Sequence, residues 1–414
     1  MHLLNQLTRV GLLVAHVGAN IKLDQEVFGS VNNEEVFLDH ESKLHLSHDL
    51  YGLHKSLTEI ESISGNEKEV GEWLVANLQS QGYNVEKQIV DEEPLRFNIL
   101  AWPGKVRDAK VLVSSHIDTV PPFYPYTRHN KTIAGRGSVD DKASVAAQLV
   151  AANSLISTGK LSPDDVNFLF VVGEETGGDG MRKANELDLH PQTIIFGEPT
   201  EGKLASGHKG NLGLHLKAKG KAAHSGYPWL GRSANEILVR ALAALMELGP
   251  RLPSSEKFGS TTVNIGRIEG GVAGNVVAES ATAQVTFRLA AGTPADAKKQ
   301  ITEALHLAIK SFIGKGEDLD DVCDIIFTSA GYGPIDINAD VPGFESFTVN
   351  YGTDIPNLSQ TVKGQKRYLY GPGTILVAHS DHEELTEAQI EGAVDGYKKI
   401  ILYAAGQHVA EEYL

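Results

Sequence analysis

The sequence predicts an α/β fold: a mostly parallel sheet flanked by helices, with a smaller α+β unit inserted into it. Three observations point there. Short apolar runs, Lys110–Ser115, Asn167–Val172 and Thr193–Phe196, alternate with helical patterns, and such alternation builds parallel sheets. Each run ends in polar residues, at His116, at Gly173-Glu174-Glu175 and at Gly197-Glu198-Pro199; open α/β sheets build their sites at those strand ends. Between about Gly207 and Gly316 the order changes to strand, helix, two strands, helix, the pattern of helices laid on a mostly antiparallel sheet.

The elements follow in order. Met1 to Ala19 carries Arg9, the apolar stretch Val10–Ala15 and then Val17-Gly18-Ala19. That is the order of a short signal peptide cleaved after Ala19. An amphipathic first helix is the other account, and His16 interrupts the apolar stretch. Residues 20–49 are polar and acidic and read as a lead-in or pro-segment. Leu53, Leu57, Ile60 and Ile63 recur at helical spacing, and Glu67 to Gly82 is a second helix with Val70, Trp73, Leu74 and Leu78 on one side. Asp141 to Ile156, rich in Ala and Val, is a long helix between the first two strands. In the insertion, Leu212–Ala218, Thr261–Ile268 and Ala281–Leu289 read as strands, and Ser233–Leu248 and Pro294–Phe312 as helices. The chain closes on the helix Glu387–Ala405. The larger domain is therefore discontinuous, 50–206 plus 317–414, and the insertion is 207–316.

Composition narrows the function. A chain of 414 residues is too long for one ordinary core, so two domains are expected. The net charge of −16 argues against nucleic acid and anionic membranes as partners. Cys323 is the single cysteine, which leaves no intrachain disulfide and no cysteine-based zinc site. Any metal must be held by His, Asp and Glu. Past the N-terminus no apolar run approaches membrane-spanning length. Two glycosylation triplets, Asn130-Lys131-Thr132 and Asn357-Leu358-Ser359, are compatible with secretion.

Five clusters carry the chemistry: Ser114–Pro122, Gly135–Lys142, Gly173–Gly178, Phe196–Thr200 and Ala378–Glu383. Singly, each has a bland account. His116 fits a core histidine, Asp140 a helix cap, Glu174-Glu175 a solvated acidic turn, Glu198 a loop residue and His379 a structural one. Together those accounts fail, because crowded buried carboxylates resist ionisation unless a cation compensates. A His/Asp/Glu set without cysteine suits zinc or a neighbouring divalent metal. Asp118, two residues past His116 on the same strand face, is placed to accept the imidazole's other N–H.

In this order the clusters resemble the zinc metallopeptidase family of acetylornithine deacetylase, succinyl-diaminopimelate desuccinylase, aminoacylase and glutamate carboxypeptidase. The likeness covers about residues 50–414. In that family the insertion is a lid and dimerisation domain. Gly220–Pro228 resembles the lid histidine motif, and Gly270–Val277 with the later Arg288 resembles the substrate-binding Asn and Arg. The resemblance implies two zinc ions per subunit bridged by Asp140. It gives Glu175 and His379 to one ion and His116 and Glu198 to the other. It makes Glu174 the general base, with His224 arriving from a partner's lid and Asn275 and Arg288 meeting the substrate. His382 competes with His379 as ligand; Ala378 before His379 and Glu383 after it favour His379.

The function expected is a carboxypeptidase that cleaves the amide bond next to a C-terminal amino acid. A small peptide or N-acyl amino acid would be the substrate, and a homodimer through the lid the assembly. An N-acyl-amino-acid deacylase such as acetylornithine deacetylase is the alternative, and a cytoplasmic rather than secreted protein would favour it. A metal-binding but catalytically dead protein is a third, against which the intact Glu174 argues. No G-x-S-x-G elbow supports a serine hydrolase.

Overall fold

The computed structural model describes residues 35–38, 42–45 and 49–407. The expected signal peptide, and the expected lead-in apart from the two strands below and Asp49, lie outside the described residues. In chain order the protein opens on an antiparallel ribbon, β1 (Glu35–Leu38) and β2 (Ser42–His45). Helices α1 (Leu50–Glu59) and α2 (Lys68–Ser80) follow. The Asp49 side chain caps α1 by accepting from the Gly52 amide. Ile63 falls outside that helix, in a bridge to Thr119.

Strands β3 (Asn84–Glu92) and β4 (Leu95–Trp102) form an antiparallel hairpin on the edge of the main sheet. Then come β5 (Val111–His116), a small hairpin β6 (Thr127–His129) and β7 (Thr132–Ala134), helix α3 (Lys142–Ser157) and β8 (Val166–Val171). Helix α4 (Asp179–Ala184) and β9 (Thr193–Gly197) complete this stretch. β5 pairs in parallel with β8 on one side and β9 on the other. The chain therefore leaves β5 in one direction and returns on its opposite flank. That switch point opens a crevice at the C-terminal end of β5, and ligands bind in such crevices.

Strand β10 (Leu204–His208) runs into β11 (Gly210–Lys219), which crosses into the insertion. There α5 (Ala234–Leu248), β12 (Thr262–Gly270), β13 (Ser280–Leu289), α6 (Pro294–Ile309) and β14 (Cys323–Phe327) make an antiparallel sheet in the order β12-β13-β11-β14, covered by the helices. Ser233 caps α5 and Thr293, followed by Pro294, caps α6. The fourth strand, β14, lies past the expected end of the insertion at 316. Its short mixed burial pattern gave no clear alternation to read.

The chain then re-enters the larger unit through β15 (Ile335–Asp336), β16 (Ser346–Val349), β17 (Lys366–Tyr370), β18 (Glu384–Thr386) and α7 (Glu387–Ala404). A capping box, Thr386 with Gln389, starts α7. The main core lies where the sheet meets α1, α2, α3 and α7, around Trp73, Phe168, Phe170 and Tyr397; the insertion has a separate core of its own. Among the described residues no helix is long and apolar enough to cross a membrane.

Candidate metal centre

The ends of β5, β8 and β9 deliver His116, the Glu174-Glu175 turn and Glu198 to one crevice, and the start of α3 delivers Asp140. Asp140 stands between two histidines. His116 Nε2 is 3.0 Å from Asp140 Oδ1. His379 Nε2 is 3.4 Å from Asp140 Oδ2 and 3.0 Å from Glu175 Oε2. Donor atoms of His116, Asp140 and Glu198 lie within 4.8 Å of one another, and so do those of Asp140, Glu175 and His379. Both groups share Asp140. His382 stands apart, with its Nδ1 2.9 Å from the exposed Asp381 carboxylate. His379 sits at φ 65, a left-handed conformation that non-glycine residues rarely hold unless the surroundings impose it.

A second layer fixes these groups. His116 Nδ1 is 3.0 Å from the Asp118 carbonyl and 3.5 Å from the Asp118 carboxylate. The backbone oxygen is thus the closer acceptor, with the expected carboxylate beside it. That carboxylate also accepts from the Glu174 and Glu175 amides at 3.1 and 3.3 Å, and from the Ser64 hydroxyl at 2.6 Å. It pins the turn that bears both glutamates. Glu383 accepts from the Val139 and Asp140 amides at 3.0 and 3.1 Å and pairs with the buried Arg136 at 2.6 Å, so it holds Asp140 from behind.

The electrostatics ask for a cation. Burial, then the charge of Asp354, holds the Glu174 carboxyl well above the usual range, and burial, then Asp140, does the same to Glu198. Burial and Asp140 also raise Glu175. Burial lifts Asp141 and Asp354 to about 7 each. Asp140 is held low, its burial outweighed by bonds from His116 and His379, and Asp118 is lowered too, its burial outweighed by His116 and the Ser64 hydroxyl. Bonds to Asp140 and Glu175 push His379 up to about 10. So many desolvated carboxyls ionise together only beside a divalent ion. The donor set, imidazole and carboxylate without sulfur, fits zinc.

An open cavity of about 780 Å³ lies over these carboxylates, and Arg288 of β13, Asn211 and Tyr332 form part of its wall. Arg288 is thus brought to the site. His224 and Asn275 are not: both are exposed on the lid, where His224 bridges to Val276 and its Nδ1 accepts from the Gly226 amide at 3.0 Å. Asp354, Glu383 and Ser64 escaped the sequence reading. Asp354 faces a small void shared with His116, Glu174 and Glu198. Glu383 served only to place the last cluster, yet it backs the bridging Asp140. The strand-end rule had a signal for Asp354, which follows β16 by a few residues.

A sheet switch point with paired His/carboxylate donor groups around one shared aspartate defines a metal-dependent hydrolase. Comparison with known proteins is specific. A model of the peptidase dimerisation domain matches residues 206–312, and one of peptidase family M28 matches residues 98–193. A "probable carboxypeptidase" of Arthroderma otae is 47% identical over 395 residues, 86% of each chain. Another, of Aspergillus fumigatus, is 48% identical over 85% of this chain and 86% of its own. Among solved structures, a tripeptidase of Staphylococcus aureus shares the fold at TM-score 0.69 and 22% identity, covering 86% of this chain and 98% of the other. An M20 family metallo-carboxypeptidase of Sulfolobus solfataricus does so at TM-score 0.68 and 17% identity, covering 87% and 99%. The chain belongs to the M20 zinc metallopeptidases, the family expected from the sequence, and is a hydrolase that acts as a carboxypeptidase.

Proposed function

We propose that the protein is a two-zinc carboxypeptidase in which His116, Asp140 and Glu198 hold one ion and Asp140, Glu175 and His379 the other. The observation that carries this is the pair of donor groups meeting at Asp140. When bound, the zinc ions supply Lewis acidity at the scissile carbonyl and lower the pKa of water. Glu174 belongs to neither donor group, yet its side chain lines the cavity. It takes the proton from the attacking water and passes it to the leaving amine. Arg288 clamps the C-terminal carboxylate through its planar fork. Asp118 keeps the Glu174-Glu175 turn rigid, so that base and ligand hold different directions.

The lid acts in a homodimer. Strand β12 is an exposed edge of the lid sheet, available to pair with its copy. That assembly would bring His224, and Asn275 beside it, to the partner's cavity, where the imidazole hydrogen-bonds the developing oxyanion. The protein is exported after cleavage near Ala19. Asn130 supports this reading, since it stands exposed at the tip of the β6–β7 hairpin. Asn357 suits a glycan poorly: its amide donates to Asp354 at 3.1 Å and it borders the cavity.

The deciding experiment is a screen of zinc-loaded protein against N-blocked dipeptides and N-acetyl amino acids. Release of the C-terminal residue from the dipeptides is expected. Hydrolysis of the acetyl compounds alone would move the assignment to a deacylase. Elemental analysis should give about two zinc ions per chain, and activity surviving exhaustive chelation with no residual metal would overturn the metal assignment.

A further inference from the structure

The larger unit and the lid are joined twice. The first crossing runs from His208 through Lys209 into β11; the second returns from β14 through Tyr332 to β15. The crossings are tied to each other by a backbone pair, in which Asn211 and Tyr332 exchange N–H···O bonds at 3.0 Å each. His208 is fully buried at this junction. Its ring meets the Tyr332 ring edge-on, with centroids 5.8 Å apart and planes at 83°. Its Nδ1 is 2.8 Å from the Lys209 carbonyl, and its Nε2 is 3.2 Å from the Thr353 hydroxyl. Burial lowers the imidazole to about 4, so the ring is neutral near pH 7. Nδ1 then carries the proton and donates, which leaves Nε2 to accept from Thr353. The Thr353 oxygen in turn accepts from the Ile355 amide at 3.2 Å, which fixes the hydroxyl.

Two of the groups that His208 touches face substrate space. Tyr332 and Thr353 both line the cavity over the carboxylates. Gly352, next to Thr353, lies so close to the lid that a Cβ there would stand 2.2 Å from the Tyr332 hydroxyl and 3.2 Å from Arg288 Nη1. The approach of Arg288 to the larger unit therefore depends on where Tyr332 and the Gly352-Thr353 segment sit.

We propose that His208 is the positioning residue of the domain junction, which holds Tyr332 of one crossing against Thr353 of the larger unit and thereby sets the distance of Arg288 from the metal centre. It touches no reacting atom. Its effect on catalysis rests on the carboxypeptidase reading, in which Arg288 holds the substrate carboxylate. A junction of this kind governs how the lid closes, and a misplaced Arg288 there weakens the hold on the substrate carboxylate.

Two variants separate positioning from mere packing. His208→Asn keeps a polar group where Nδ1 was and loses the link to Thr353; His208→Gln keeps one where Nε2 was and retains the link. With zinc-loaded protein and an N-blocked dipeptide, His208→Asn should raise KM up to about tenfold, the worth of one hydrogen bond, with kcat nearly unchanged. His208→Gln should stay close to the wild-type KM even where its Tm falls as far. Adding Thr353→Val to His208→Asn should raise KM no further. An activity-free measurement goes with it: electron–electron distance distributions between spin labels at Glu69→Cys on α2 and Leu307→Cys on α6, both exposed. His208→Asn should broaden that distribution and His208→Gln should not. Equal KM values and equal distributions in the two variants would overturn the proposal. Wild-type protein that cleaves no blocked dipeptide would sink the carboxypeptidase reading instead, and the distance distributions would still decide the role of His208.

Discussion

The larger unit and the lid differ in how complete they are. In the larger unit every expected ligand converges within one chain: β5, β8 and β9 end side by side, and His379 closes the group from the far end of the sequence. Of the three expected lid residues only Arg288 reaches the cavity, while His224 and Asn275 stand in solvent beside an open sheet edge. Exposed apolar side chains mark the same lid, among them Trp229 at 73% and Val272 at 87%. On the proposed dimer, the half-site built within one chain would be completed by His224 and Asn275 of its partner's lid. Burial sorts the two halves in part: His116, Asp140 and Glu198 are packed and cross-braced, His379 is exposed, and His224 and Asn275, the groups proposed to serve a partner, are exposed as well.

The sharpest way to break that contrast is within the larger unit. Glu174→Gln should lower kcat by about a thousandfold, near the middle of the range for loss of a general base, with zinc content unchanged. The amide preserves shape and cannot take a proton. A variant that keeps near wild-type kcat would mean that another group is the base, and one that loses zinc would mean that Glu174 is a ligand.

The lid is tested next. His224→Ala should cost on the order of a hundredfold in kcat, the usual worth of one oxyanion donor, with little change in stability because the side chain is exposed. Mixing it with Glu174→Gln should restore partial activity, since some mixed dimers pair an intact base with an intact lid histidine. No recovery despite demonstrated subunit exchange would show that each chain completes its own site, and the contrast between the two regions would lose its functional meaning.

A smaller, thermodynamic test compares ion pairs. Arg136 and Glu383 are nearly fully buried, with side chains 1% and 2% exposed, whereas the lid pair Arg267–Glu269 is 61% and 59% exposed. Glu383→Gln strands a buried guanidinium and should cost about 3–5 kcal/mol in denaturant unfolding. Glu269→Gln should cost less than about 1 kcal/mol, because water screens that pair already. Similar losses in both would contradict the burial argument.

Much of this was legible in the sequence, for definite physical reasons. The parallel strands are continuous apolar runs because both faces are covered, and their ends announce themselves as charge clusters. The β3–β4 hairpin was harder. β3 mixes exposed and half-buried residues along its whole length, so its alternation is blurred. β14 was missed because five residues of mixed burial carry too little pattern. At the site, the ligand residue types could be read in place. The second layer could not, since Ser64, Glu383 and Asp354 come from segments far apart in the chain. Asp118 shows the limit best. Its spacing from His116 was clear, yet that its carboxylate also pins the neighbouring turn depends on backbone geometry that spacing does not encode.

The last test is acid, and it concerns the brace between the regions. His54, in the larger unit, and His208, at the junction, are both buried and both lowered by burial from 6.5 to about 4. In the unfolded chain these rings titrate near 6.5, so between about pH 6.5 and 4 the unfolded state binds more protons than the folded one. The stability this confers is fully present above pH 6.5 and is lost as pH falls toward 4. Each ring contributes a slope of at most about 1.4 kcal/mol per pH unit inside that window. Unfolding followed at several pH values should therefore show less acid sensitivity in His54→Gln, which has nothing to protonate, than in the wild type. His208→Gln should flatten the curve by a similar amount. If either variant keeps the wild-type slope between pH 6.5 and 4.5, that histidine is not held neutral by burial, and in the case of His208 the two regions are braced by something other than a dry imidazole.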